Sequence, residues 1–218
     1  MKIKACIFDL DGVIVDTAKY HYLAWRRLAR ELGFDFSPRQ NERLKGVSRM
    51  RSLEILLEEG GLTLSNNEME NAARRKNTWY VDFISTITPD EILPGVPGFL
   101  REVRSSGVKS AIGSASKNAG IILDRLQIKE LFDVVIDGTQ VTKAKPDPEI
   151  FLVSAIALHC KPGECLVFED ARAGIEAAKN GGMACVGVGD GNILKQADLI
   201  ISSFDNLRWN DVLKKLDH

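Results

Sequence analysis

Asp9 and Asp11 stand two residues apart in Phe8-Asp9-Leu10-Asp11-Gly12-Val13, directly after a short apolar run at residues 4–8. Two carboxylates on a sharp glycine turn can divide labour. One attacks an electrophile and the other moves a proton, provided their surroundings differ. Glu169 and Asp170 close another apolar run, 165–168. Four acids on one rim repel one another unless a cation sits among them. Mg²⁺ suits such a set, because it takes oxygen ligands, keeps waters and bridges to phosphate. Ser114 opens Ser114-Ala115-Ser116-Lys117-Asn118, which follows the run at 109–113. A hydroxyl and free N–H groups at a helix start make an anion site there. Lys145 follows the run at 134–137 and precedes Pro146, placed to neutralise a phosphoryl oxygen or the attacking carboxylate. Each fragment alone is a turn that happens to be charged. Four fragments in this order, each just past an expected strand, point to phosphoryl transfer.

These residues need a scaffold that brings strand ends together. Residues 4–8, 109–113, 134–137, 165–168 and 184–188 are short and rich in apolar or β-branched side chains, and 199–201 extends the series. Amphipathic segments at 119–126, 149–158 and 171–180 alternate with the later runs, and 208–216 reads as a closing helix. The expected fold is therefore α/β, with a Rossmann-like parallel sheet covered by helices on both faces. About a hundred residues separate the first run from the second, far beyond the needs of one crossover. Residues 96–104 supply that crossover helix, and the excess reads as helical. Ala18, Tyr22, Trp25, Ala29 and Leu32 follow a 3.6 period. Pro38 after Ser37 opens a helix. Ser48 caps one that stops at Gly60-Gly61, and Ser65 with Glu68 forms a capping box for a longer one. The expected organisation is a core of residues 1–16 and 88–218 with an inserted helical cap at 17–87. Its hinges fall at 15–17 and 88–95.

Composition bounds the rest. The 218 residues carry 29 basic and 30 acidic side chains, a formal charge of −1 that gives no blanket attraction to nucleic acid. No apolar run approaches the ~20 residues of a membrane span. The start is too soon charged for a signal peptide, so the expected setting is cytoplasmic. The four cysteines lack a C-x-x-C spacing, and histidine occurs only at 21, 159 and 218. Reduced thiols are expected rather than a disulfide framework or a zinc cage. Any metal should be a hard cation held by carboxylates.

The whole chain resembles the haloacid dehalogenase superfamily, which carries Asp-x-Asp-Gly, a Ser or Thr, a Lys and an acidic pair in this chain order. The resemblance implies that Asp9 is a nucleophile that becomes an aspartyl phosphate, and that Asp11 is the general acid/base. It implies that Asp9, the Asp11 backbone carbonyl and Asp170 hold Mg²⁺, with Glu169 as a ligand or reaching through water. Ser114 and Lys145 would hold the transferring group. Within the superfamily, longer strings are similar to the β-phosphoglucomutase family. These are Asp16-Thr17-Ala18-Lys19-Tyr20-His21 with Trp25, then Gly46-Val47-Ser48-Arg49 with Ser52, then Lys76-Asn77, and the Ser114–Asn118 loop.

That likeness implies an isomerase converting β-D-glucose 1-phosphate to glucose 6-phosphate through a bisphosphate. Thr17, His21 and Lys76 would assist Asp11. Arg49, Ser116, Lys117 and Asn118 would clamp the second phosphate, and Gly46, Val47, Ser48, Ser52 and Ala115 would line the sugar. Trp25 fits core packing better than a sugar platform, and Arg51, Arg74 and Arg75 fit solvated faces. The expected partners are small sugar phosphates, with a monomer as the expected state. A sugar-phosphate or phosphoglycolate phosphatase of the same superfamily stays open, because both reactions use the same core residues.

Overall fold

The computed structural model describes residues 2–44 and 47–216. Strands β1 (Ala5–Phe8), β2 (Lys109–Gly113), β3 (Val134–Ile136), β4 (Cys165–Glu169), β5 (Ala184–Val188) and β6 (Leu199–Ile201) form one sheet in the order β3-β2-β1-β4-β5-β6. Every pairing is parallel. The order reverses beside β1, and open sheets of this kind bind ligands at such a switch point, outside the carboxyl ends of the strands.

The strands are apolar on both faces because both faces are covered. Cys6, Phe8, Leu166, Phe168 and Val186 face a cluster filled by α5 (Val96–Ser105), α6 (Ala119–Leu126) and α9 (Trp209–Leu216). Ala5, Ile7, Val167 and Cys185 face the other, filled by α7 (Glu149–Ala157) and α8 (Arg172–Asn180). Phe8 stacks on Phe168 with ring centroids 4.7 Å apart, and Phe99 and Phe204 close around the pair. This stack stands one residue before both Asp9 and Glu169, so it fixes the spacing of the two strand ends. Cys6, Cys165 and Cys185 are buried free thiols and Cys160 is half-buried and free. The exposed area of 10626 Å² agrees with the roughly 10,000 Å² that mass scaling gives.

Between β1 and β2 lie α1 (Ala18–Glu31), α2 (Pro38–Asn41), α3 (Arg49–Gly60) and α4 (Asn66–Ile84). Each starts or stops where local chemistry directs. Ser37 and Gln40 form a capping box at α2, Ser48 caps α3, Gly61 ends α3 in the left-handed region, and Ser65 with Glu68 caps α4. These helices enclose a cluster of their own, with Trp25, Leu28, Phe36, Leu53, Leu56 and Ala72 among its buried members. The chain crosses between sheet and helices twice. The crossings touch: Leu93 N–H donates to the Ile14 carbonyl at 2.9 Å, and Val15 bridges Ile92. Among the described residues no helix is long and apolar enough to cross a membrane.

Candidate active site

The ends of β1, β2 and β4, the loop after β3 and the inner faces of α1, α3 and α4 surround one cavity of about 780 Å³. Lys145 stands at its floor, 5% exposed, with its Nζ donating at 2.5 Å to both Asp9 Oδ1 and Glu169 Oε1. The two carboxylates hold the ammonium's pKa above the usual lysine range although burial works against it. Glu169 Oε2 accepts the Ala171 N–H at 2.7 Å, so both its oxygens already hold a partner. Burial and the Asp9 charge push Glu169 up, against the pull of Lys145.

Two glycines make room for the acidic pair. Gly12 takes φ +85°, and a Cβ there would overlap the Asp170 carboxylate. A Cβ at Gly174 would overlap the Glu169 carboxylate. Asp170 is thus packed against the Asp-x-Asp-Gly turn itself. Asp9, Asp11, Glu169 and Asp170 line the same cavity and offer only hard oxygen donors on this side. Among the described residues no three carboxylate, imidazole or thiolate groups converge closely enough to hold an ion alone. The all-oxygen lining is of the kind Mg²⁺ takes, an ion held by one or two carboxylates with its remaining positions filled from water and phosphate.

Asp11 differs from Asp9 in surroundings. Burial and the neighbouring Asp9 charge push its pKa up to about 7, against the Thr17 hydrogen bond and the Lys145 and Lys76 charges. Its Oδ1 accepts the Thr17 hydroxyl. Thr17 precedes α1 and makes no side-chain cap there, because that hydroxyl is turned to Asp11. His21, one turn into α1, bonds Lys76 rather than Asp11, with Nδ1 2.9 Å from Lys76 Nζ. Burial, Lys76 and Arg49 hold the imidazole pKa well below the ordinary value. A neutral ring accepts from Lys76 at Nδ1, which leaves its proton on Nε2. Lys76 is 2% exposed, with its Nζ 4.6 Å from the ring centroids of both Trp25 and Tyr80. Burial and Arg49 push its pKa down.

The other expected residues fall around this centre with local roles of their own. Ser114 is fully buried just past β2, and its hydroxyl accepts the Ser116 N–H at 3.1 Å. Ala115, Ser116, Lys117 and Asn118 line the cavity. Asn118 donates to Asn77 Oδ1 at 3.0 Å, which ties the loop after β2 to α4. Val47, Ser48, Arg49 and Ser52 line the α3 side. Arg49 is about half buried, and no carboxylate pairs with it among the described residues. Gly46 lies outside the described residues.

Trp25 belongs both to the helical core and to the cavity wall. Arg51 and Arg75 are outward-facing, paired with Glu54, Glu58 and Glu31. Arg74 is exposed and bonds Asn71, though it also reaches the cavity rim. Sequence reasoning missed Tyr80 and Asn41, both buried in the wall. Tyr80 had a signal: it follows Lys76 by four residues, on the same helix face. Asn41 had none.

The family model for haloacid dehalogenase-like hydrolases matches residues 3–182. A β-phosphoglucomutase of Bacillus subtilis is 44% identical over 94% of this chain and 92% of its own. A phosphorylated carbohydrates phosphatase of Thermotoga maritima is 32% identical over 91% and 93%. The crystal structure of a β-phosphoglucomutase from Clostridium difficile superposes with TM-score 0.95 and 45% identity, over 99% of this chain and 97% of that one.

Proposed function

The chain belongs to the haloacid dehalogenase-like hydrolase family, and within it we propose that it is a phosphomutase interconverting β-D-glucose 1-phosphate and glucose 6-phosphate. The observation that carries this reading is a single cavity with two phosphate-competent clusters. Asp9, Lys145 and Asp170 form one, and half-buried Arg49 with Ser116, Lys117 and Asn118 forms the other. A mutase must accept a bisphosphate in two orientations, so a second anion site inside the same enclosure is what it needs. The likeness to two β-phosphoglucomutases supports the choice of sugar.

Lys145 holds Asp9 through Oδ1 and leaves Oδ2 to attack phosphorus. In the forward direction the phosphoryl group on Asp9 passes to the 6-hydroxyl of β-glucose 1-phosphate, and Asp11 takes the hydroxyl proton. The bisphosphate turns round. Asp9 then attacks the phosphoryl group on C1, and Asp11 returns the proton to the departing C1 oxygen, releasing glucose 6-phosphate. An acid/base whose pKa stands near 7 suits both halves. Thr17 orients Asp11 through its hydroxyl. Ser114 orders the phosphate loop by accepting from Ser116. Arg49 offers a fork to the second phosphate. Asp9, the Asp11 carbonyl and Asp170 would hold Mg²⁺, with Glu169 fixing Lys145 behind them. The bound ion would offset charge on the equatorial phosphoryl oxygens.

Incubation with β-glucose 1-phosphate, Mg²⁺ and trace β-glucose 1,6-bisphosphate should yield glucose 6-phosphate. Release of free phosphate and glucose instead would mark a sugar phosphatase, as the Thermotoga relative is named. Asp9→Asn should lower either activity by about three orders of magnitude or more, because the amide that replaces the Lys145-held carboxylate is no nucleophile toward phosphorus.

A further inference from the structure

Tyr80 sits on α4 with 1% of its surface exposed, in the wall of the cavity. Its hydroxyl has no hydrogen-bond partner among the described residues. Leaving a buried hydroxyl unmatched is costly, so such a group inside a binding cavity calls for a partner that arrives with the ligand. The ring is already committed. It packs against His21 with centroids 4.0 Å apart and lies under Lys76 Nζ. The hydroxyl therefore has little freedom to turn away.

Its neighbours define what it meets. Burial and the Asp11 charge hold the proton on this hydroxyl, against the Thr17 and Ser116 hydroxyls and the Arg49 charge, so it stands as a donor. Thr17 already donates to Asp11. Ser116 and Arg49 line the same cavity, a donor and a cation with no carboxylate partner among the described residues. We propose that the Tyr80 hydroxyl is a binding residue donating a hydrogen bond to the phosphoryl group that is not being transferred, completing the Arg49–Ser116 clamp from α4. This rests on the mutase reading, and specifically on its second phosphate site. The ligand class is a doubly anionic phosphate monoester on a sugar. Tyr80 then discriminates a sugar phosphate, which fills both sites, from a small phosphodonor, which fills only the Asp9 site.

Tyr80→Phe tests this, because it keeps the ring that packs on His21 and removes only the hydroxyl. KM for β-glucose 1-phosphate in the primed mutase assay should rise about tenfold or more, the size of a hydrogen bond to a charged group. KM for acetyl phosphate, with Asp9 phosphorylation and hydrolysis as the readout, should stay within about twofold. The two constants do not depend on how much enzyme is folded, so a modest loss of stability leaves the comparison intact. An unchanged KM for the sugar phosphate overturns the proposal, and so does an equal rise for both donors. If the wild-type protein makes no glucose 6-phosphate, the mutase reading falls first. If it does and Tyr80→Phe behaves like it, only the Tyr80 assignment falls.

Discussion

Lys145 does two jobs at once, and removing it separates them. Lys145→Ala would leave Asp9 and Glu169 facing each other without their shared cation. Breaking a buried pair in this way costs about 3–5 kcal/mol. The expected outcome is a protein that unfolds at markedly lower urea and has lost turnover. Lys145→Ala/Glu169→Gln should recover part of the stability and none of the turnover. His21 gives a second test, this time through pH. Free histidine titrates near 6.5, whereas the folded ring is held neutral far below that. Below about pH 6.5 the unfolded chain takes up a proton that the folded chain refuses. The stability from this site is complete above that pH and drains away as the pH falls, at up to ~1.4 kcal/mol per unit. Urea curves at several pH values should show that slope, and His21→Phe should flatten it. Asp9, Glu169 and Asp170 were legible because they close apolar runs, and Lys145 because it stands before a proline in the loop after one. Tyr80 was legible only through its spacing from Lys76, since an aromatic residue on a helix otherwise reads as core until its hydroxyl is found without a partner.

At the scale of elements, the site depends on two strand ends staying in register. The Phe8–Phe168 stack does this from behind. Phe168→Ala should cost about 3–5 kcal/mol by removing a buried ring, measured as a lower unfolding midpoint. Gly174 shows the opposite failure. A methyl group there would fall on the Glu169 carboxylate. Gly174→Ala should displace Glu169 from Lys145 and lower kcat by about tenfold or more, with a stability loss of about 1–3 kcal/mol. The strands and most helix limits were readable from periodicity, caps and glycine stops. The turn at Gly12 was readable too, but the need for glycine at 174 was not, because α8 approaches Glu169 only in three dimensions. Of the three residues that the resemblance set beside Asp11, Thr17 makes the direct bond, while His21 and Lys76 bond each other.

Across the whole molecule, the sheet buries its own core and the four inserted helices bury another. Neither needs a metal to fold. EDTA should therefore stop turnover while moving the thermal midpoint only by the small mass-action term of a released ligand, and added Mg²⁺ should restore the rate. Alternation of short apolar runs and amphipathic segments made the parallel sheet readable, and the hundred-residue gap located the insert. The cavity between them was not readable, because its walls come from segments far apart in the chain. One feature of the crossings carries further. Residues 14–15 and 92–93 are laced together, so they act as one ribbon and not as two independent tethers. A ribbon bends readily about a single axis and resists twist and slide. Any swing of the helical part must follow that one arc, and Thr17 rides at its root. A swing along that arc would move the Thr17 hydroxyl relative to the Asp11 carboxylate that now accepts from it.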